Sequence, residues 1–259
     1  MSDSGPDLIT SIQELTEAAR NLTYESGVRW LFRGQSRAAW DLLPSVHREY
    51  DEEGERYLTQ EFRARAGTRH GHRPRYEDYA DWLALMQHYG LPTRLLDWSH
   101  SPLTAVFFAV ERHLPHTPRF DTIADDAALW AVSPARLNVA QGLKPYIYPL
   151  NSGELAGLVE GAFFPVQERR DVAAALAVES DPRMQVQRGA FTIHRTTKAF
   201  NTIPGCDEWL RKWIIPREAT PNLARQVDAL GLGLADLFPD LGSLARDLAC
   251  RVPKRYVRL

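Results

Sequence analysis

Cysteine is almost missing from this chain: Cys206 and Cys250 stand alone among 259 residues, with no close pair and no second ligand beside either. Neither a disulfide framework nor a zinc site is expected, and no metal is called for. Long apolar runs are missing as well. The longest, LTAVFFAV at 103–110, is too short to span a bilayer, and the opening MSDSGPDLIT lacks a basic stretch followed by an apolar one, so neither membrane insertion nor export is expected and a reducing cytoplasm is the expected setting. Lysine is scarce, at Lys144, Lys198, Lys212 and Lys254 only, and the net charge is −2. A generally basic coat for nucleic acid is therefore not expected. Also lacking are a P-loop, a G-x-G-x-x-G, an H-E-x-x-H and a G-x-S-x-G, which withdraws support from Walker-type phosphoryl transfer, Rossmann redox chemistry, zincin proteolysis and α/β-hydrolase chemistry.

What is present suffices for a sizeable core, with 44% of residues hydrophobic. Ser11 and Glu14 form a capping-box signal ahead of apolar residues at Ile12, Leu15, Ala19 and Leu22, which predicts a first helix. A strand is expected at 28–33. A charged helix follows near 51–66, then a His/Gly/Pro-rich connection expected to be mobile. Another helix is expected over 76–89, with Gly90 as its left-handed cap. LPTRLLDW reads as a strand, SHSP as a turn, and LTAVFFAVERH as a helix with Pro102 in its first turn. Further strands are expected at 128–132, 190–194 and 210–215, and two helices within 221–248. Strands and helices mix without a βαβ rhythm, so the expected fold class is α+β. One domain is expected, comprising an N-terminal helix (1–27), an α+β core (28–215) and a helical C-terminal extension (216–259).

Functional groups gather where elements end. WLFRGQ, residues 30–35, carries an apolar strand into Arg33, Gly34 and Gln35; a paired arginine at the edge of the core explains only the first of these. QHYGLPTRLLDWSHSP, residues 87–102, holds Gln87, His88, Tyr89, Thr93, Arg94, Asp97, Ser99, His100 and Ser101 in a short span. Its plain alternative has Tyr89 and Trp98 in the core, Asp97 paired with Arg94, and the serines capping a helix. QVQRGAFTIH, residues 185–194, is a polar entry to an apolar strand. Its Gly189 suits either a close ligand approach or a simple turn with a bulge. The stretch RARAGTRHGHRPR offers Arg63, Arg65, Arg69, Arg73 and Arg75 as phosphate contacts, or as an ordinary solvated helix end. The tail RVPKRYVRL, residues 251–259, is read in the same two ways.

In these segments and in the late GLGLADLFPDLGSLARDL the chain resembles the FRG domain, named for the Phe-Arg-Gly that stands here as Phe32, Arg33 and Gly34. A remoter resemblance is to ADP-ribosyltransferases of the arginine, serine, glutamate type. In that comparison FRG supplies the arginine strand, WSHSPLTAVFFA the serine element with Ser99, Ser101, Ala105 and Phe108, and QVQRG the third entry. Gln185 and Gln187 stand in that third entry, with no glutamate.

The resemblance implies an ADP-ribosyltransferase-like α+β fold with a mixed or antiparallel central sheet flanked by helices. It also implies NAD as the ligand, with Arg33 on the diphosphate and Gly34 and Gln35 beside the nicotinamide amide. Ser99, Ser101, Gln187 and Gly189 would lie near the ribose, with Arg94 also at the site and Tyr89 or Trp98 stacked on the base. Arg33, Ser99, Gln187, His88 and Asp97 are the implied catalytic set. Three readings stay open: an NAD-using transferase acting on a nucleic acid or protein, in bacterial defence or stress; a module that binds a nucleotide without turnover; and a hydrolase or nuclease using His88, Asp97 and His194.

Overall fold

The computed structural model describes residues 7–27, 29–69, 73–114, 125–177 and 189–251, with the side chains of residues 25, 26 and 251 left aside. The first helix, α1 (Ile12–Ser26), starts where Ser11 accepts a bond from the Glu14 amide at 3.3 Å. The Glu14 carboxylate reaches one residue further back than a capping box would take it, to the amide of Thr10 at 2.6 Å. Strand β1 (Leu31–Gln35) starts three residues later and ends two later than expected, so that Gly34 and Gln35 join Arg33 in the strand itself. Three helices follow, α2 (Val46–Glu49), α3 (Glu52–Ala66) and α4 (Tyr79–His88). Gly90 takes a φ of 78°, the left-handed geometry anticipated just past α4. Part of the connection between α3 and α4, residues 70–72, lies outside the described residues.

Strand β2 (Leu95–Ser99) is shorter than LPTRLLDW and leads to α5 (Pro102–Val110), then to a single 3-10 turn at Glu111–His113. Strand β3 (Ala127–Val132) and helix α6 (Pro134–Ala140) come next, then the two-residue β4 (Tyr148–Pro149), α7 (Ala156–Glu160) and β5 (Val172–Leu176). Strands β6 (Gly189–His194) and β7 (Leu210–Ile215) complete the sheet, and α8 (Thr220–Ala229), α9 (Leu234–Leu237) and α10 (Leu241–Arg251) close the described chain. The C-terminal segment thus holds three helices where two are expected.

The seven strands among the described residues form one sheet in the order β4-β5-β6-β2-β1-β3-β7. Every pairing is antiparallel except β4 with β5. The fold is therefore α+β with a mixed sheet flanked by helices. No described helix is long and apolar enough to cross a membrane.

The packing of this sheet creates the site. Because side chains alternate along a strand, each face gathers its own core. On one face a single cluster runs the breadth of the sheet, through Leu31, Leu96, Trp98, Trp130, Ala174 and Trp209. On the other face there are two clusters. Phe32, Leu129 and Trp213 from the β1-β3-β7 half pack on α5 and on α8 and α9, through Phe107, Leu223 and Leu237. Leu95, Phe191 and Ala173 from the β2-β6-β5 half pack on α4 and α7, through Met86 and Leu158. Helices α8 and α9 are thus part of the main core rather than an appendage, whereas Leu241, Leu244 and Leu248 of α10 are exposed. The seam between the two clusters falls between β1 and β2.

Candidate functional site

At that seam the sheet is held least firmly. β1 and β2 share one registered pair, Phe32 with Ser99, whereas each makes five with its outer neighbour. A cleft of about 260 Å³ opens there, lined by β1 (Phe32, Arg33, Gly34), β2 (Asp97, Trp98, Ser99), the end of α4 (Gln87, His88) and the start of α5 (Thr104, Ala105, Phe108). Side-chain donors and acceptors thus meet an apolar floor. That combination is usual in sites for small polar ligands.

Arg33 spans the seam. Its Nη1 donates to the main-chain oxygen of Asp97 at 2.7 Å and lies 4.0 Å from that residue's carboxylate. Its Nε is buried and has no hydrogen-bond partner among the described residues. Burial lowers the guanidinium's pKa from its usual value, Asp97 opposes the shift, and Arg48 adds to it. An arginine stays charged through such a shift, so the seam holds a permanent cation only partly neutralised by its neighbours.

Asp97 is held from the other side. Gln87 Nε2 donates to its Oδ2 at 2.7 Å. The amide of Gln87 cannot turn over freely, because its oxygen accepts from the Thr93 hydroxyl, which itself accepts from the Leu95 amide at 3.2 Å. Once Thr93 donates to the oxygen, the nitrogen of Gln87 must face Asp97. The second carboxylate oxygen of Asp97 makes no hydrogen bond among the described residues, and the side chain is 58% exposed.

The residues expected at the site divide. Arg33, Gly34, His88, Asp97 and Ser99 are brought together in the cleft. The Ser99 hydroxyl accepts from the Ser101 amide at 3.0 Å. Ser101 caps α5, accepting from Thr104 N at 3.2 Å, as the plain alternative has it. Gly189 stands opposite Ser99 at the start of β6. Gln185 and Gln187 lie outside the described residues.

Gly34 is occupied from the side that a ligand was expected to use. A Cβ placed there would sit 1.9 Å from the Ala105 oxygen, so the glycine admits the backbone of α5. Gln35 is turned to the opposite face, where its Oε1 accepts from the Trp130 indole at 2.7 Å. Trp98 touches the cleft but its ring is buried, its N–H donates to Thr192 at 2.9 Å, and it packs edge-on to Phe200. It has no face to offer a base. Tyr89 stands outside the cleft on the rim, half exposed, with its ring 4.8 Å from that of His88.

Arg94 is a correction. Rather than facing a ligand or pairing with Asp97, it is 2% exposed and binds both oxygens of Glu55 on α3, at 2.8 and 2.5 Å, with a third bond to the Leu158 oxygen at 2.9 Å. With an acceptor on each of its three nitrogens, this guanidinium ties α3 and α7 to the start of β2. Glu55, 39 positions away in sequence, carried no signal as its partner. Arg63 is another correction: it is buried, donates to the Tyr76 oxygen at 2.6 Å, and lies 4.0 Å from the centre of that tyrosine's ring, with Tyr79, Trp82 and Phe163 around it. It braces an aromatic cluster and cannot meet a phosphate. His194 is wholly buried, 2.8 Å from the Thr192 hydroxyl. Burial, with the charges of His47, Arg33 and Arg94, holds its pKa well below the usual value. Its ring packs edge-on to Phe200, 5.1 Å away, and does not line the cleft. No group of three or more potential metal ligands occurs among the described residues.

An α+β chain with a polar cleft at the seam of its sheet is the class that this geometry defines. Residues 28–117 match the family model of the FRG domain. Every residue lining the cleft, from Phe32 to Phe108, lies inside that span. The match ends ahead of QVQRGAFTIH and GLGLADLFPDLGSLARDL, to which the sequence resemblance also extends. No curated protein and no solved structure matches the chain.

Proposed function

We propose that the cleft between β1 and β2 binds NAD and that the protein is an ADP-ribosyltransferase-like enzyme. The observation that carries this reading is Arg33, a fixed guanidinium at the seam of the sheet with a buried N–H unpartnered among the described residues. Such a group suits a diphosphate oxygen. At about 260 Å³ the cleft takes one end of a dinucleotide and leaves the other on the rim beside Tyr89. In the reaction the bond between nicotinamide and C1′ of the ribose breaks, and nicotinamide leaves with the electron pair. The acceptor's nitrogen or oxygen bonds to C1′ and releases its proton to water. Positive charge develops on the sugar as the bond breaks. The carboxylate of Asp97, aimed by Gln87 and Thr93, is the group in the cleft that favours it. This assigns to Asp97 the part that the glutamate plays in the transferases.

A second reading, nucleotide binding without turnover, is favoured by the same carboxylate's neighbours. The Gln87 bond and the nearby Arg33 both draw negative charge away from a ligand. The hydrolase reading loses His194, which is wholly buried and does not line the cleft. Calorimetric titration with NAD, beside an assay for free nicotinamide, tests the proposal. Saturable binding lost in Arg33→Met, with steady nicotinamide release lost in Asp97→Asn, is the expected result. Binding without release selects the second reading, and no binding removes both.

A further inference from the structure

A larger groove adjoins the cleft. It lies between α3 and α4, has a volume of about 580 Å³, and shares with the cleft the last turn of α4: Gln87 and His88 line the cleft, whereas Leu85 and Tyr89 line the groove. Its floor is apolar, from Phe62, Leu85 and Leu91. Two partly exposed tyrosines stand in its walls, Tyr57 at 65% exposure and Tyr89 at 56%, the latter with its ring edge-on to His88. Arg65 and Arg69, both exposed, line it too. Arg65 pairs with Glu61 one turn earlier, and Arg69 donates to the Arg65 oxygen at 2.8 Å, which orders the two guanidinium groups along the end of α3.

We infer that this groove binds a single-stranded nucleic acid and presents it to the cleft as the acceptor. Three features favour that occupant. Exposed planar rings beside an apolar floor suit unpaired bases, which stack on aromatic side chains without regard to sequence. Arginines beside the rings suit the phosphates that run along the same strand. Charge is divided along α4: Glu77, Asp78, Asp81 and Glu160 line a separate pocket at its other end, whereas the groove has one lining carboxylate, Glu61, which is paired with Arg65 and stands near Arg69, so a polyanion is repelled from the acidic end and drawn toward the end that holds His88. A duplex keeps its bases stacked on one another and cannot use the tyrosines. The arginine-rich stretch of the sequence thereby gains a role through Arg65 and Arg69, whereas Arg63 braces the aromatic cluster beneath. The acceptor role rests on the proposed chemistry of the cleft; binding in the groove stands apart from it.

The test is fluorescence anisotropy with a short labelled RNA, the DNA of the same sequence, and the duplex of each, on the full chain at low and physiological salt. Either single strand is expected to bind more tightly than its duplex, and the tighter of the two identifies the sugar preferred. Tyr57→Ala and Tyr89→Ala should each weaken binding by about tenfold, while Tyr57→Phe, which keeps the ring, retains it. Arg65→Ala and Arg69→Ala should each reduce the slope of log affinity against log salt by about one. No binding of either strand, equal binding of duplex, or affinity indifferent to both tyrosines overturns the inference, as does preference for an acidic peptide over the oligonucleotides. Arg33→Met separates the two proposals: it should abolish NAD binding and leave oligonucleotide binding unchanged. Loss of NAD binding by the wild type alone would count against the cleft and not the groove.

Discussion

Arg33 and Arg94 reach neighbouring strands of the same sheet, and both belong to motifs that the sequence marks as functional. Arg94 is 2% exposed, with both oxygens of Glu55 and the Leu158 carbonyl giving each of its three nitrogens an acceptor. Arg33 has one main-chain acceptor, a carboxylate 4.0 Å away and a buried Nε unpartnered among the described residues. With every nitrogen given an acceptor, a buried guanidinium serves as a rivet between elements; left partly unsatisfied beside a cleft, it keeps binding capacity for something else. The difference between a structural and a functional arginine lies in the partners, which come from distant parts of the chain.

The sharpest way to break this comparison is Glu55→Gln. It leaves the Arg94 charge buried without its counter-charge, and a loss of about 3–5 kcal/mol is expected in denaturant unfolding. A loss below about 1 kcal/mol would mean that Arg94 is no rivet. Next is Gly34→Ala, where the new methyl meets the Ala105 carbonyl and the Ala109 amide on α5. Overpacking of this kind costs about 1–3 kcal/mol, and unchanged stability would show that α5 sits less closely on β1.

Acid sharpens the comparison from beneath the sheet. His194 and His47 both titrate below the usual histidine range in the folded chain, chiefly through burial. The unfolded chain therefore takes up protons first. Stability is full above the unfolded value of about 6.5 and declines as pH falls below it, by about 1.4 kcal/mol per pH unit for each such histidine. Unfolding curves for wild type and His194→Gln should diverge in slope there, with the variant the flatter, and parallel slopes would contradict the burial argument. The smallest change in stability is expected for Arg33→Met, within about 1.5 kcal/mol for one hydrogen bond, measured beside its loss of NAD affinity. A loss as large as that of Glu55→Gln would place the two arginines in one class.

Much of the fold was legible. Ser11, Gly90 and Pro102 mark helix ends because capping and fixed φ are local properties, and ALWAV, AFTIH and LRKWII read as strands from their branched and aromatic residues. VAAAL at β5 escaped because alanine favours helices, and only pairing with β6 draws it into the sheet. The edge strand β4, two residues long, has no pattern to find. The cleft was half legible. FRG and DWS point to it, yet the groove residues Tyr57 and Phe62 gave no signal, since a helical face gains meaning only from what packs beside it.

By itself, then, the sequence determined the α+β class, the helix ends, and the segments where polar groups crowd the ends of strands. These follow from backbone preferences and from periodicities that act over a few residues. Only the tertiary structure decided that Arg94 is spent on Glu55 while Arg33 borders a cleft, that Gly34 makes room for a helix, and that Gln35 and His194 lie outside that cleft. Each of these outcomes depends on a partner brought from elsewhere in the chain, and the energy of a buried polar group is set by that partner.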